Sequence, residues 1–183
     1  NMTPDSFSDG GIFNSYLKAI KRINNLKKSG ADIIDIGGES TRPGSKVIPP
    51  KKELKRVYKL LEKFKKKFPK TLLSIDTRKS LVMNFSIKHN ADIINDVSCF
   101  EFDPKSFDLV KNKNLWKIIH HMQGTPQTMQ IKPNYDHVLL DIYDFFEKKI
   151  KKFDGNKSKK KLILDPGIGF GKNLKHNLMI LSK

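Results

Sequence analysis

A chain of 183 residues, 37% of them hydrophobic, can bury the core of one domain but not of two. Its only cysteine, Cys99, excludes an internal disulfide, and no apolar run approaches the ~20 residues of a membrane span, so a soluble, cytoplasmic protein is expected. The formal charge of +17 suggests nucleic acid, yet 32 of the 36 basic residues are lysine, gathered in KFKKKFPK (63–70) and EKKIKKFDGNKSKKK (147–161). Neither stretch has the arginine forks that base readers favour; a bias toward Lys, Asn and Ile on solvated helix faces accounts for the charge, with a basic nucleic-acid-binding protein as the alternative.

The chain opens on NMTPDSFSDGG (1–11), whose proline, aspartates, serines and paired glycines are turn chemistry. Leu17, Ile20, Ile23 and Leu26 then recur at helical spacing before Gly30, and ADIIDIGG follows as a short apolar strand. Leu54, Val57, Leu60, Leu61 and Phe64 make one stripe on a lysine-rich helix closed by Pro69, and TLLSID is the next strand. SLVMNFSIKHN, a helix, leads to the strand ADIIND; a weaker segment from Pro104 to Asn112 leads to LWKIIHH. A long helix from about Asp136 to Phe153 leads through DGNKSKKK to LILDPG, and HNLMILSK begins another helix.

Five continuous apolar strands alternating with helices predict a parallel sheet. The near repeat of ADIIDI (31–36) and ADIIND (91–96) suits equivalent positions of a repeated βα unit, or is chance similarity between two buried strands. Every strand ends in polar residues: Asp35 before Gly-Gly-Glu-Ser-Thr-Arg, Asp76-Thr77-Arg78, Asn95-Asp96, His120-His121-Met122-Gln123 and Asp165-Pro166-Gly167. Five strand ends converging on one face is the way a (β/α)8 barrel builds a site, whereas a doubly wound sheet gathers ligand groups at one switch point; the barrel is the expected fold.

DPGIGFGKN fails as a phosphate loop, because Asn173 follows Gly171-Lys172 and no glycine stands at 166, and fails as a dinucleotide fingerprint, because Lys172 holds the third glycine's place. It is read as a strand-end aspartate followed by a mobile, backbone-exposing loop with one aromatic, Phe170. Asp35, Asp76, Asn95 and Asp165, partly desolvated, would match an amino-pyrimidine edge: a carboxylate takes two adjacent N–H donors, and an Asn amide serves a mixed side. Helix capping and loop bracing are the other roles open to them. Arg42, one of four arginines, has a fork suited to phosphate or pyrophosphate, while Arg78 could pair with a neighbouring acid. His120 and His121, adjacent on a strand, face opposite ways and cannot chelate together; Cys99 reads as a buried small hydrophobe.

NMTPDSFSDGG, ADIIDIGGESTRPGS, SIDTRKS, ADIINDVS, HMQGTPQTM and LDPGIGFGK, in this order, resemble the dihydropteroate synthase family along the whole chain. The resemblance implies a (β/α)8 TIM barrel that joins 7,8-dihydropterin-6-ylmethyl diphosphate to p-aminobenzoate, releases diphosphate and is the target of sulfonamides. By motif, Asp76, Asn95 and Asp165 would bind the pterin with Met122 packing on its ring. Thr41 and Arg42 would contact substrate and diphosphate from the second loop. Asn1 would sit at the diphosphate and its Mg2+, and Asp5, Phe7, Pro43 and Phe170 would form the p-aminobenzoate pocket. His120 departs from the pattern, since the family commonly has methionine there.

The family's Ser-Arg-Lys-Ser strand end and its late Arg-x-His motif are absent. The expectation is therefore residues 1–183 as a single pterin-binding barrel domain truncated at both ends, comprising about strands 2–6, and probing as an inactive fragment. Its partners would be small-molecule substrates, with no nucleic acid and no membrane; the full-length family homodimer would not form normally. A methyltetrahydrofolate-binding methyltransferase barrel shares the Asp, Asn, Asp pattern but is not expected to carry both TPDSFSDGG and STRPGS.

Overall fold

The computed structural model describes residues 1–2, 11–42, 44–155 and 161–182. Helices and strands alternate: α1 (Gly11–Lys28), β1 (Ile33–Gly37), α2 (Pro50–Lys67), β2 (Leu72–Asp76), α3 (Ser80–Lys88), β3 (Ile93–Asp96), α4 (Ser106–Val110), β4 (Trp116–His120), α5 (Val138–Lys151), β5 (Leu162–Asp165) and α6 (Leu174–Leu181). All five expected strands form, and they pair in parallel in the order β1-β2-β3-β4-β5.

Local chemistry sets the helix bounds. Pro50 opens α2 at a position where its missing N–H is not needed, Glu53 lies in the first turn and Lys65, Lys66 and Lys67 in the last, as the helix dipole favours. Val57, Leu60, Leu61 and Phe64 form its buried stripe. The helix expected to begin at His176 starts at Leu174, because Asn173 caps it: its side chain accepts from His176 N, and His176 returns the contact to Asn173 N. The weak segment 104–112 contributes only the five-residue α4.

Parallel register places paired residues on one face of the sheet. Ile34, Ile36, Leu73, Ile75, Ile94 and Ile119 are buried on the helix side, in one core with Val57, Leu60 and Phe64 of α2, Val82 and Met83 of α3, and Ile142 and Phe146 of α5. Truncating a side chain such as Phe64 in that core costs roughly 3–5 kcal/mol. The opposite face is apolar low on the strands and open: Ile33, Leu72, Trp116 and Ile163 are 45, 41, 39 and 37% exposed. A doubly wound sheet reverses its strand order and carries helices on both faces. Sequential order, with helices on one face among the described residues, is the arc of a (β/α)8 barrel whose sheet is not closed here.

Candidate active site at the strand ends

The register that builds the arc also lifts a polar rim above its apolar floor. Gly37, Asp76 and Asn95 lie side by side on β1, β2 and β3, and His120 lies beside Asp165 on β4 and β5. Asn95 pairs with Ile118, two residues before His120, so Asp76, Asn95, His120 and Asp165 share the face away from the helices. Gly37 leaves room beside Asp76: a Cβ there would stand 3.2 Å from Asp76 Oδ2, close enough to press on the carboxyl.

These groups are unevenly sheltered, with the Asp165 side chain 45% exposed, and they are not saturated. Asn95 Nδ2 donates at 3.5 Å to Asp35 Oδ2, so the two matching positions of the ADII repeat meet across β2. Asp35 itself is exposed rather than desolvated as expected. Asp165 Oδ1 accepts from Gly167 N at 2.8 Å, while its Oδ2 lies 4.0 Å from His120 Nε2. Asp76 Oδ1, Asn95 Oδ1 and His120 Nδ1 are buried atoms with no partner among the described residues. Burial pushes the Asp76 carboxyl well above the usual carboxylate range, and the charges of Asp35, Asp96 and Glu53 add to the shift. Three orphaned polar atoms on neighbouring strand ends form a deficit that a flat ligand rich in hydrogen-bonding groups would fill.

The loops around the rim are held from below. Glu39, in the loop after β1, takes Arg78 Nη2 on Oε1 at 2.6 Å and both Lys79 Nζ (2.7 Å) and Ile48 N (2.8 Å) on Oε2. Lys79 also donates to Glu53 Oε2, and Thr77 Oγ1 to Glu53 Oε1 at 2.6 Å. Burial alone would raise the Glu39 carboxyl, but the hydrogen bonds from Lys79, Ile48 N and Arg78 outweigh it and hold the group below its usual range. Asp96, on the helix side of β3, accepts from Ser98 N, Ser98 Oγ and Phe100 N, fixing Cys99 and Phe100 at φ 55° and 65°, a conformation rare for such side chains. Burial raises Asp96 to about 6 and the Cys99 thiol to about 12, which leaves that thiol an inert, buried group as expected.

The loop after β5 was expected to be mobile; it is pinned instead. Lys172 is buried, with Nζ 2.9 Å from His121 Nδ1 and donating to the carbonyls of Gly167 and Phe170 at 3.0 Å. Burial and the Lys172 charge lower His121 to about 4, and burial lowers Lys172 to about 8. Gly167, at φ 68°, brings this loop against β4 so closely that a Cβ would fall 1.9 Å from His121 O. Three loops are laced together: Gly44 N donates to Pro126 O, Gln127 Nε2 to Ser45 O and Gln130 Nε2 to Gly169 O.

The sequence-selected residues divide accordingly. Asp76, Asn95 and Asp165 come together on the rim. Phe170 reaches it by packing its ring edge-on to His120, centroids 4.5 Å apart. Met122, half-buried, borders a cavity of about 280 Å³ with Arg78, Val97, Cys99, His120 and Phe145. Thr41 is half-buried and Arg42 exposed in the loop after β1, and Ser45 N donates to Arg42 O. Asn1 is exposed beside the end of β1, where Met2 N donates to Gly37 O at 2.7 Å. Asp5, Phe7 and Pro43 lie outside the described residues. Sequence reasoning missed Glu39, Glu53, Lys79 and Asp96 as partners, and read Lys172 only as a mismatch to a glycine fingerprint; the signal it had was the Arg78-Lys79 pair two residues after Asp76 at a strand end.

Fold and rim together define a TIM-type α/β barrel arc with a polar site at its C-terminal edge. The chain belongs to the pterin binding enzyme family, whose model matches residues 1–183. It is 42% identical to the dihydropteroate synthase of Escherichia coli K12, over all of this chain and 64% of that protein's length. Among solved structures it resembles the Yersinia pestis dihydropteroate synthase with a sulfonamide drug complex, at TM-score 0.91 and 41% identity, covering 100% of this chain and 66% of that one. It also resembles Xanthomonas albilineans dihydropteroate synthase with 4-aminobenzoic acid, at TM-score 0.87 and 36% identity, covering 100% and 64%. The chain thus spans just under two thirds of the length of these relatives.

Proposed function

We propose that the chain is the pterin-binding part of a dihydropteroate synthase, which condenses 7,8-dihydropterin-6-ylmethyl diphosphate with p-aminobenzoate to give 7,8-dihydropteroate and diphosphate. The observation that carries this reading is the pair of unpartnered oxygens at the ends of β2 and β3, Asp76 Oδ1 and Asn95 Oδ1, on the same face as the Asp165 carboxylate. An amino-pyrimidine edge supplies the adjacent N–H donors such a pair lacks. Similarity to synthases solved with a sulfonamide and with 4-aminobenzoic acid supports it.

In this reading Asp76, Asn95 and Asp165 hold and orient the pterin with Met122 packing on its ring, and Phe170 belongs to the p-aminobenzoate pocket. Thr41 and Arg42 bind the diphosphate from the second loop; Asp5, Phe7 and Pro43 complete the p-aminobenzoate pocket. Loss of diphosphate leaves the methylene carbon electron-poor, with the pterin sharing the positive charge, and the neutral aromatic amine attacks it. No protein nucleophile is required, so the chain's work is positioning and exclusion of water by the laced loops. Among the described residues no group of three or more His, Cys, Asp or Glu could hold a metal unaided. A Mg2+ carried by the diphosphate needs few protein ligands, and the single hard oxygen of Asn1 fits that demand. When bound, it would neutralise charge on the departing diphosphate. Small molecules are the partners this reading assigns, in a cytoplasmic setting.

Calorimetric titration with 6-hydroxymethylpterin diphosphate and Mg2+ tests the reading. Saturable binding that disappears in Asp165→Ala is expected; a wild-type chain that takes up no pterin overturns it.

A further inference from the structure

His120 is a polar residue in a place where packing alone calls for an apolar one. It is 5% exposed, wedged between the Gly167 turn and the edge of the Phe170 ring, where a leucine or methionine could make the same contacts without any polar atom to satisfy. Its Nδ1 nevertheless lies buried with no partner among the described residues. The strand register puts the side chain on the face of Asn95 and Asp165, between them in strand order.

A neutral imidazole has one N–H and one bare nitrogen. Nε2 lies 4.0 Å from Asp165 Oδ2, beyond hydrogen-bond range but near enough for the carboxylate charge to favour the tautomer with its proton on Nε2. Nδ1 is then the bare acceptor, the same kind of atom as Asp76 Oδ1 and Asn95 Oδ1. Burial holds the ring to its neutral form by lowering its pKa, which the Asp165 charge opposes and the Lys172 charge reinforces.

We propose that His120 is a fourth ligand-reading group of the rim: its Nδ1 accepts a hydrogen bond from an N–H of the bound heterocycle, between the positions read by Asn95 and Asp165. This rests on the pterin reading above. It makes His120 a specificity residue, since a heterocycle with an N–H at that position gains a hydrogen bond to Nδ1 that one with an acceptor or a C–H forgoes.

The test uses 6-hydroxymethylpterin as the probe and compares wild type with His120→Leu and His120→Asn, whose Oδ1 falls near the place of Nδ1. His120→Leu should weaken binding about tenfold or more, as expected for an unpaired buried donor on the ligand, and His120→Asn should recover most of the loss. In 15N-imidazole NMR of the wild type, the Nδ1 resonance of His120 should move from the bare to the hydrogen-bonded range on adding the probe. Unchanged affinity in His120→Leu, equal losses in both variants, or an Nδ1 resonance that ignores the probe would each overturn the proposal. If His120→Leu does not fold, the wild-type resonance decides alone. Loss of binding in Asp165→Ala with no effect at His120 rejects this inference and leaves the function standing; a wild type that binds no pterin rejects both.

Discussion

Asp76 and the three residues after it belong to two polar clusters of opposite character. Thr77, Arg78 and Lys79 turn under the loop after β1 and meet Glu39 and Glu53, two cations against two anions, with all four carboxylate oxygens accepting hydrogen bonds. Asp76, one residue earlier, faces the open side with Asn95 and His120, and there the acceptors are bare. A buried charge is tolerated when it is paired, so the first cluster, whose carboxylates are fully hydrogen-bonded although Arg78 Nε has no partner among the described residues, reads as fold; a buried oxygen left unpaired costs stability, and in the proposed function the second cluster meets a ligand. Removing a group should therefore damage stability in the first cluster and ligand binding in the second.

The largest effect is expected from Glu39→Gln. It removes the carboxylate paired with Arg78 and one of the two paired with Lys79, and weakens the acceptor for Ile48 N, so urea unfolding should show a loss of ~3–5 kcal/mol. A loss below about 1 kcal/mol would mean that the network is not structural. Asp76→Asn should do the reverse. The Asp76 carboxyl is raised in the folded state, so its favourable contribution is complete below the unfolded value near 3.8 and is lost as pH rises through the folded value. At pH 7 the amide variant should be at least as stable as wild type, while pterin binding falls about tenfold or more. A variant that unfolds more easily and binds normally would erase the distinction between the clusters.

The two clusters were not equally legible in the sequence. Rim residues announce themselves locally: Asp76, Asn95 and Asp165 each end a short apolar strand, and strand ends are where a barrel presents its chemistry. The network has no local signature, because Lys79 meets partners 26 and 40 residues away and only the packing of α2 and the loop after β1 against β2 brings them together. Lys172 was opaque for a related reason: its partners are His121, 51 residues earlier, and backbone carbonyls, which no side-chain pattern reveals. The cap of α6 was overlooked because histidine, not Glu or Gln, stands at its third position.

Lys172 and His121 join the two kinds of cluster, since a saturated contact here supports a loop of the open site, and pH separates their contributions. His121 falls to about 4 when folded, against 6.5 unfolded, so its stabilising effect is complete above pH 6.5 and is lost as pH drops toward 4 and the unfolded chain takes up the proton. His121→Asn should flatten that acid limb by on the order of 2 kcal/mol between pH 6.5 and 4.5, read as a shallower fall of the urea midpoint. An unchanged slope would place the acid sensitivity elsewhere.

The smallest effect is expected at the surface, where a third kind of polar contact gives the scale. Lys151 and Glu147, four residues apart on α5, pair at 3.2 Å with side chains 64% and 51% exposed. Water already solvates both ions, and fixing two long side chains offsets most of their attraction, so Lys151→Ala should change stability by less than about 0.5 kcal/mol and leave pterin binding unaltered. The same ion-pair chemistry that is expected to be worth several kcal/mol at Glu39 should then be nearly silent here. A large loss in Lys151→Ala would show that charge pairing, and not burial with hydrogen-bonded carboxylates, is what separates the network from the rim.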